Sequence, residues 1–215
     1  DRKNEQPYLS SYRGYYSLVK SGNEQPLTTH SDRYNFNYTY SIGAYSKGSV
    51  FLSQLGYIIG EEALAQTLKN YYSDFKFTHP TPTDIIRTAE KISDMHLGWY
   101  LQDWTQTTNT IDYAVEEVSN SDQATMVTLK RIGLMPMPVD IVVTLKNGDQ
   151  LSYYIPLTEM RGEKESDQAI LLEDWSWAQP SYTFTLEDLE INKIEIDPTG
   201  RMADIDKENN VYQAP

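Results

Sequence analysis

Histidine is scarce in this chain of 215 residues, and cysteine, the other side chain most typical of transition-metal sites, is missing. There are three histidines, His30, His79 and His96, and no two are four residues apart like the ligand pair of a His-Glu-x-x-His helix. Cysteine is absent, which excludes disulfides, thiolate-bound zinc and cysteine nucleophiles. We interpret His30 as a residue that stabilises its polar loop, and the other two histidines as structural.

Two tyrosines and the residues around them are the remaining candidates for chemistry. Tyr40 precedes Tyr45 by five residues, and Tyr45-Ser46-Lys47-Gly48 forms a Tyr-x-Lys-Gly run. A tyrosine hydroxyl donates a hydrogen bond without prior deprotonation. A lysine in a first helical turn is ordinarily solvated, so we expect Lys47 to extend into water. Such a short run has little specificity alone. The chain contains 17 tyrosines, so ordinary packing is the alternative role for both Tyr40 and Tyr45.

Helices are predicted around these tyrosines. Apolar residues recur at helical spacing in residues 41–59, and Gly60 marks the stop before a second apolar stripe. Thr81-Pro82-Thr83-Asp84 carries the residues of a helix start, with a capping threonine and an acidic third position. Further helices are predicted at residues 8–20 and 97–104. Residues 1–110 are therefore predicted to form an all-α bundle.

Beyond residue 111 the apolar pattern alternates, which is typical of half-buried strands. Asn147-Gly148 favours a tight hairpin between two of these strands. Together they predict a small antiparallel β-sandwich over residues 111–200, and thus an α+β fold. The acidic residues 201–215 resemble a calcium loop only faintly, and we expect a loosely held tail. The predicted strands are residues 113–118, 125–132, 139–145, 151–157, 182–186 and 191–196.

Composition excludes several classes of partner. The formal net charge is -13, so contact with nucleic acid or an anionic membrane surface is disfavoured. No apolar run approaches the length of about 20 residues that spans a bilayer. The first residues, Asp1-Arg2-Lys3-Asn4, lack an initiator Met, and we expect a longer parent protein. The cellular compartment is not determined by these residues. The acidic, cysteine-free composition favours a periplasmic or secreted bacterial protein.

The order of motifs between residues 18 and 104 resembles the aminopeptidase-N-like gluzincin family of zinc metallopeptidases. In that family a Tyr-x-Lys-Gly motif opens a helix that faces the metal, and a second tyrosine precedes it by five residues. Tyr45 and Tyr40 match these positions. Three later features also follow the family's order: the Tyr71-Tyr72 pair, the helix that ends in Trp104 and the β-sandwich after it. The resemblance covers nearly the whole chain. It implies that the chain corresponds to the rear half of a thermolysin-like catalytic domain and the β-sandwich that follows it.

The resemblance implies a role for each tyrosine. Tyr45 would donate a hydrogen bond to the oxyanion of the tetrahedral intermediate in peptide hydrolysis, and Tyr40 would support substrate binding nearby. The parent would remove N-terminal residues from peptides with zinc held by two His and one Glu in a missing N-terminal catalytic region. This chain would bind no metal and would be inactive alone.

Two alternatives remain open at this point. The helical part and the sandwich could form a non-catalytic module that binds a protein or a carbohydrate, since the chain has many aromatic residues and no complete site. The second alternative is a natural non-catalytic homologue that has lost its metal domain. The side-chain preference of the parent and the oligomeric state cannot be read from these residues.

Overall fold

The computed structural model of the chain describes residues 8–120, 124–165, 168–187 and 190–215. The chain divides between Asn109 and Thr110 into a helical unit and a β-sheet unit. The predicted α+β fold, with helices first and sheets second, is confirmed. Within the described ranges, every helix falls short of the length and apolar character that crossing a bilayer requires.

The helical unit packs around a core of aromatic and aliphatic side chains. The rings of Tyr15 and Trp104 have centroids 5.6 Å apart, and those of Phe51 and Tyr100 stack at 5.2 Å. The Tyr100 hydroxyl donates to the Phe51 carbonyl at 2.5 Å, which satisfies a polar group in the core. The helices are α1 (Leu9–Lys20), α2 (Asn37–Ile42), α3 (Gly48–Ile59), α4 (Glu61–Phe75), α5 (Pro82–Ser93) and α6 (Gly98–Gln106).

Local sequence explains where several of these helices begin and end. Gly60 separates α3 from α4 with φ of 89°, a conformation that favours glycine. At the start of α5 the Asp84 carboxylate accepts from the Thr81 backbone N–H at 2.6 Å, and Pro82 occupies the first turn. Both boundaries were predicted from sequence and are confirmed. The predicted helix at residues 41–59 starts earlier, at Asn37, and includes a π-helical segment that the sequence pattern did not indicate.

The described residues of the second unit form two sheets. One has the strand order β1-β2-β6 and the other β5-β4-β3-β7-β8, with antiparallel pairing except between β4 and β5. The turn between β3 and β4 contains Gly148 at φ of 92°, as the Asn-Gly pair predicts. The strands are β1 (Tyr113–Asn120), β2 (Ala124–Arg131), β3 (Val139–Leu145), β4 (Gln150–Ile155), β5 (Ala169–Leu171), β6 (Ser181–Glu187), β7 (Ile191–Ile196) and β8 (Val211–Gln213).

The inner faces of the two sheets supply the core of this unit. Along β3 the buried residues Val139, Ile141 and Val143 alternate with partly exposed ones, so one face of the strand is inside. An aromatic contact joins the sheets, with the rings of Tyr153 on β4 and Phe184 on β6 at 6.0 Å. This arrangement matches the predicted sandwich, with β5 and β8 as strands that the sequence pattern missed.

The prediction of a loose acidic tail over residues 201–215 is wrong. Met202 and Ala203 are fully buried, and Val211–Gln213 pairs as β8 with the edge of β7. Asp204 is 1% exposed, and its carboxylate accepts from the Tyr113 backbone N–H at 2.9 Å. Burial, the largest cause, raises the pKa of Asp204 to about 6. The acidic residues thus include a carboxyl that anchors this segment to β1.

Candidate functional site

Tyr45 lies on a π-helical segment, Gly43–Lys47, that continues α2 into α3 without a break in helical backbone geometry. The Gly48 N–H bonds to the Gly43 carbonyl five residues earlier, which is the bond that defines a π turn. Single π turns inside α-helices are frequent at functional sites. The Tyr45 side chain is 77% exposed, so its hydroxyl is free to meet a molecule from outside this unit. We call Gly43–Lys47 the π segment.

Lys47 ends the π segment, and the prediction that it extends into water is wrong. Its side chain is completely buried, and its ammonium lies 2.7 Å from Glu24 Oε1. The same nitrogen is 5.6 Å from the centre of the Trp104 ring and donates to the Thr107 carbonyl at 3.4 Å. A buried ammonium needs such partners because transfer from water to an apolar interior is costly. Lys47 is therefore an internal anchor of the segment that carries Tyr45.

Glu24 completes this anchor from the loop that follows α1. Its side chain is only 6% exposed in the ion pair. Burial raises the pKa of the Glu24 carboxyl, while the adjacent Lys47 ammonium opposes that rise. The pair is thus a strongly desolvated contact of opposite charges, in which each group needs the other.

A glycine lets α1 lie close against the other side of the π segment. A Cβ at Gly14 would lie 2.5 Å from Ser46 Oγ and 2.9 Å from Ser46 Cβ. These separations are shorter than real carbon contacts, so only glycine permits this approach without a shift. The π segment is consequently held by α1 at Ser46 and by the ion pair at Lys47, the two residues that follow Tyr45.

Tyr40 lies on α2, three residues before the π segment, and is 44% exposed. Its ring meets that of Tyr34 edge to face at 5.3 Å. The Tyr34 hydroxyl donates to the Pro26 carbonyl at 3.1 Å, and burial raises its pKa. Within the described residues no ring contact joins Tyr40 to Tyr45. The two predicted site residues therefore share one helix but have different neighbours.

The histidines do not form a metal site in this part of the protein. Among the described residues no group of three or more histidine, aspartate or glutamate side chains could hold a metal ion. His30 Nδ1 accepts from the Asp32 backbone N–H at 3.3 Å and caps the short 3-10 turn Ser31–Arg33. This loop role is the one that the sequence predicted for His30. A zinc ion of the predicted kind does not fit the side chains that the structure describes.

The helical unit is similar to a known protein family. The sequence of residues 5–104 matches the model of the peptidase family M1 domain. This stretch contains Tyr40, Tyr45 and the Glu24–Lys47 pair. The helical part of the chain is therefore similar to the peptidase family M1 domain, and the resemblance predicted from the sequence is confirmed. This match supports a peptidase-related role.

One solved structure extends the likeness to the fold of nearly the whole chain. The crystal structure of Legionella pneumophila aminopeptidase A in complex with aspartic acid is similar, with a TM-score of 0.50 and 12% sequence identity. The match covers 91% of this chain and 23% of that one. At this identity the likeness shows the fold alone, and the chain spans about a quarter of that protein's length. No curated protein matches the sequence.

Sequence reasoning found the tyrosines but missed the ion pair behind them. Glu24 stands in a polar loop with Asn23 and Gln25, where a solvated carboxylate is the ordinary expectation. One signal could have indicated the burial of Lys47. The helix after it is apolar almost throughout, so a cation at its start has few positions that face water.

Proposed function

We propose that this chain is the C-terminal portion of a zinc-dependent aminopeptidase that removes N-terminal residues from peptides. In this proposal Tyr45 donates a hydrogen bond to the substrate carbonyl oxygen as that oxygen gains negative charge. Tyr40 lies on the same helix and contributes to substrate binding. The observation that carries the proposal is an exposed tyrosine on a clamped π turn, inside the residues that match peptidase family M1.

The surroundings of Tyr45 suit this role. A donor stabilises a transition state best when its position is fixed before the reaction, because no reorganisation is then needed. Contacts at Ser46 and Lys47 hold the backbone on which Tyr45 stands, while the Tyr45 ring itself stays exposed. A phenol can donate to an oxyanion while neutral, so it needs no neighbouring base.

The chain supplies only part of the proposed active site. The described residues do not fit a zinc ion, so we place the metal ligands, two His and one Glu, in the preceding region of the parent protein. We expect the chain alone to be inactive toward peptides.

The test is a substitution at Tyr45 in the full-length gene product that contains this chain. We expect Tyr45→Phe to lower kcat for an aminoacyl substrate about 100- to 1,000-fold, the usual cost of one oxyanion donor, with KM nearly unchanged. Tyr72→Phe is the matched control, because Tyr72 is 70% exposed on α4 and has no proposed role. Equal rates for the wild type and Tyr45→Phe would refute the role of Tyr45.

The same experiment separates the enzyme from a binding module. If the full-length protein contains stoichiometric zinc and cleaves aminoacyl substrates, the aminopeptidase proposal stands. If it has neither zinc nor activity, a non-catalytic module that binds a protein or carbohydrate becomes the better account of this chain.

A further inference from the structure

We propose that Glu24 and Lys47 form a positioning pair: their buried contact fixes the helical register of the π segment and thereby the direction of the Tyr45 hydroxyl. Neither residue is proposed to touch substrate. This inference rests on the proposed function of Tyr45, and it assigns a role to two residues whose side chains are 6% and 0% exposed.

Lys47 and Tyr45 lie on opposite sides of the π segment. Lys47 follows Tyr45 by two residues on the π segment, about half a helical turn. The two side chains accordingly have opposite environments, since Lys47 is buried and Tyr45 is 77% exposed. Whatever holds Lys47 on the inner side therefore determines how far Tyr45 turns on the outer side.

Three contacts depend on the one ammonium group of Lys47. Lys47 Nζ meets Glu24 in the loop after α1, the Trp104 ring on α6 and the Thr107 carbonyl just beyond α6. These partners lie 23, 57 and 60 residues from Lys47 in sequence, so the nitrogen joins the π segment to distant parts of the helical unit. An apolar side chain could fill the same space, but it would lack these directional partners.

Loss of these contacts would release the helical register of the π segment. A π turn accommodates one residue more than an α turn, and such turns are rare unless surrounding structure maintains them. A relaxation to plain α-helix would rotate the residues on one side of the turn by about 100° relative to the other. Because Lys47 is fixed from inside and Ser46 by α1 at Gly14, the π turn is maintained where Tyr45 stands.

The experiment compares local opening of the π segment with general destabilisation of the helical unit. Backbone amide hydrogen exchange is measured on the full 215-residue chain for Lys47→Met, Glu24→Gln and the double variant. Tyr100→Phe serves as the control, because it removes a buried hydrogen bond of the same unit that lies on α6 and α3. The double variant removes both charges, so its core is neutral and its fold is expected to persist.

We expect exchange at residues 43–48 to rise at least 10-fold more than at the remaining amides of α3 in each pair variant. The effect of Glu24→Gln should be the smaller, since its amide oxygen still accepts from Lys47. Tyr100→Phe should raise exchange in α3 and the π segment by a common factor. If the pair variants show only that common factor, the pair is a structural contact and the positioning role is overturned.

Kinetics of the full-length protein distinguish failure of this inference from failure of the proposed function. Lys47→Met and the double variant should lower kcat at least 10-fold with KM nearly unchanged, even where the double variant regains stability. If Tyr45→Phe slows the enzyme and the double variant does not, the pair has no positioning role while the function of Tyr45 stands. If Tyr45→Phe has no effect on rate, the proposed function fails, and the exchange data still decide whether the pair fixes the π turn.

Discussion

The helical unit and the β-sheet unit each bury a carboxyl, but they stabilise it in different ways. Glu24 lies 2.7 Å from a lysine ammonium, so its charge is balanced by another buried charge. Asp204 accepts hydrogen bonds from the backbone N–H groups of Tyr113 and Asp206, both at 2.9 Å. Burial raises the pKa of both carboxyls.

The partners of the two carboxyls differ, and this difference indicates different roles. Backbone N–H groups fix Asp204 to β1 and to its own turn, which closes the C-terminal segment onto the sandwich. The ion pair of Glu24 instead reaches a side chain on the π segment, next to an exposed tyrosine. The first arrangement serves the fold, and we propose that the second also serves a site.

Breaking the ion pair should produce the largest change in stability. Lys47→Met leaves the Glu24 carboxylate buried without a cation, and we expect the free energy of unfolding of the helical unit to fall by about 3 to 5 kcal/mol. Amide exchange of α3 under native conditions measures this for the helical unit separately. Lys193→Met on β7 is the control, followed through amides of β7 in its own unit, since its pair with Glu195 is about one-third exposed and should contribute about 1 kcal/mol or less.

The Glu24→Gln/Lys47→Met double variant tests whether an unpaired charge causes this loss of stability. With both charges gone, no unpaired ion remains in the core, and stability should return most of the way to wild type. A double variant that is as unstable as Lys47→Met would contradict the assignment of the loss to an unpaired charge.

The pH dependence of the β-sheet unit should produce the next largest effect. The folded pKa of Asp204 is about 6, above its ordinary value of 3.8, so between these values the folded state binds more protons than the unfolded state. Its contribution to stability is therefore greatest at low pH and declines as pH rises from about 4 to 6. Relative to Asp204→Asn, the wild type should lose about 2 to 3 kcal/mol over this range.

Chemical denaturation followed through amides of β1 and β7 at several pH values measures this decline. Above pH 7 the difference between the two proteins should be constant. A difference that is flat from pH 4 to 6 would show that the Asp204 carboxyl titrates normally in the folded state.

The smallest effect is expected at Asp84, an exposed carboxyl that accepts a hydrogen bond from a backbone N–H group. At the start of α5 the Thr81 backbone N–H and hydroxyl both donate to Asp84, and these bonds lower the pKa of Asp84. Replacing Thr81 by Val removes the hydroxyl donor and should move that pKa part of the way back up. Carbon-detected NMR titration of the Asp84 carboxyl measures the shift, and an unchanged pKa would show that the backbone bond alone determines it.

Much of the fold could be predicted from sequence because local signals agree with the final structure. The capping sequence at Thr81–Asp84, the stop at Gly60 and the alternation along β3 each specify an element without reference to distant residues. Strand β5 is short and pairs in parallel with β4. It lacks the length that makes alternation visible, so only tertiary pairing defines it.

The candidate site was predicted in part for the same reason. The Tyr-x-Lys-Gly run marks Tyr45 in sequence, but the burial of Lys47 depends on Glu24 and Trp104, which are distant in sequence. The π turn likewise follows from tertiary contacts, since a helical pattern with one extra residue is hard to distinguish from a plain helix. The closure of residues 202–213 depends on Asp204 meeting Tyr113, which no local pattern reveals.

In the proposed function, Tyr45 acts on substrate because the helical unit holds it in place. The most direct test is kcat of the full-length protein with Tyr45→Phe against Tyr72→Phe, measured on the same aminoacyl substrate at saturation. The account predicts a loss of about 100- to 1,000-fold for Tyr45→Phe and a rate within a factor of two of wild type for Tyr72→Phe, on the usual scale for one oxyanion donor. Equal rates for the two variants would contradict it.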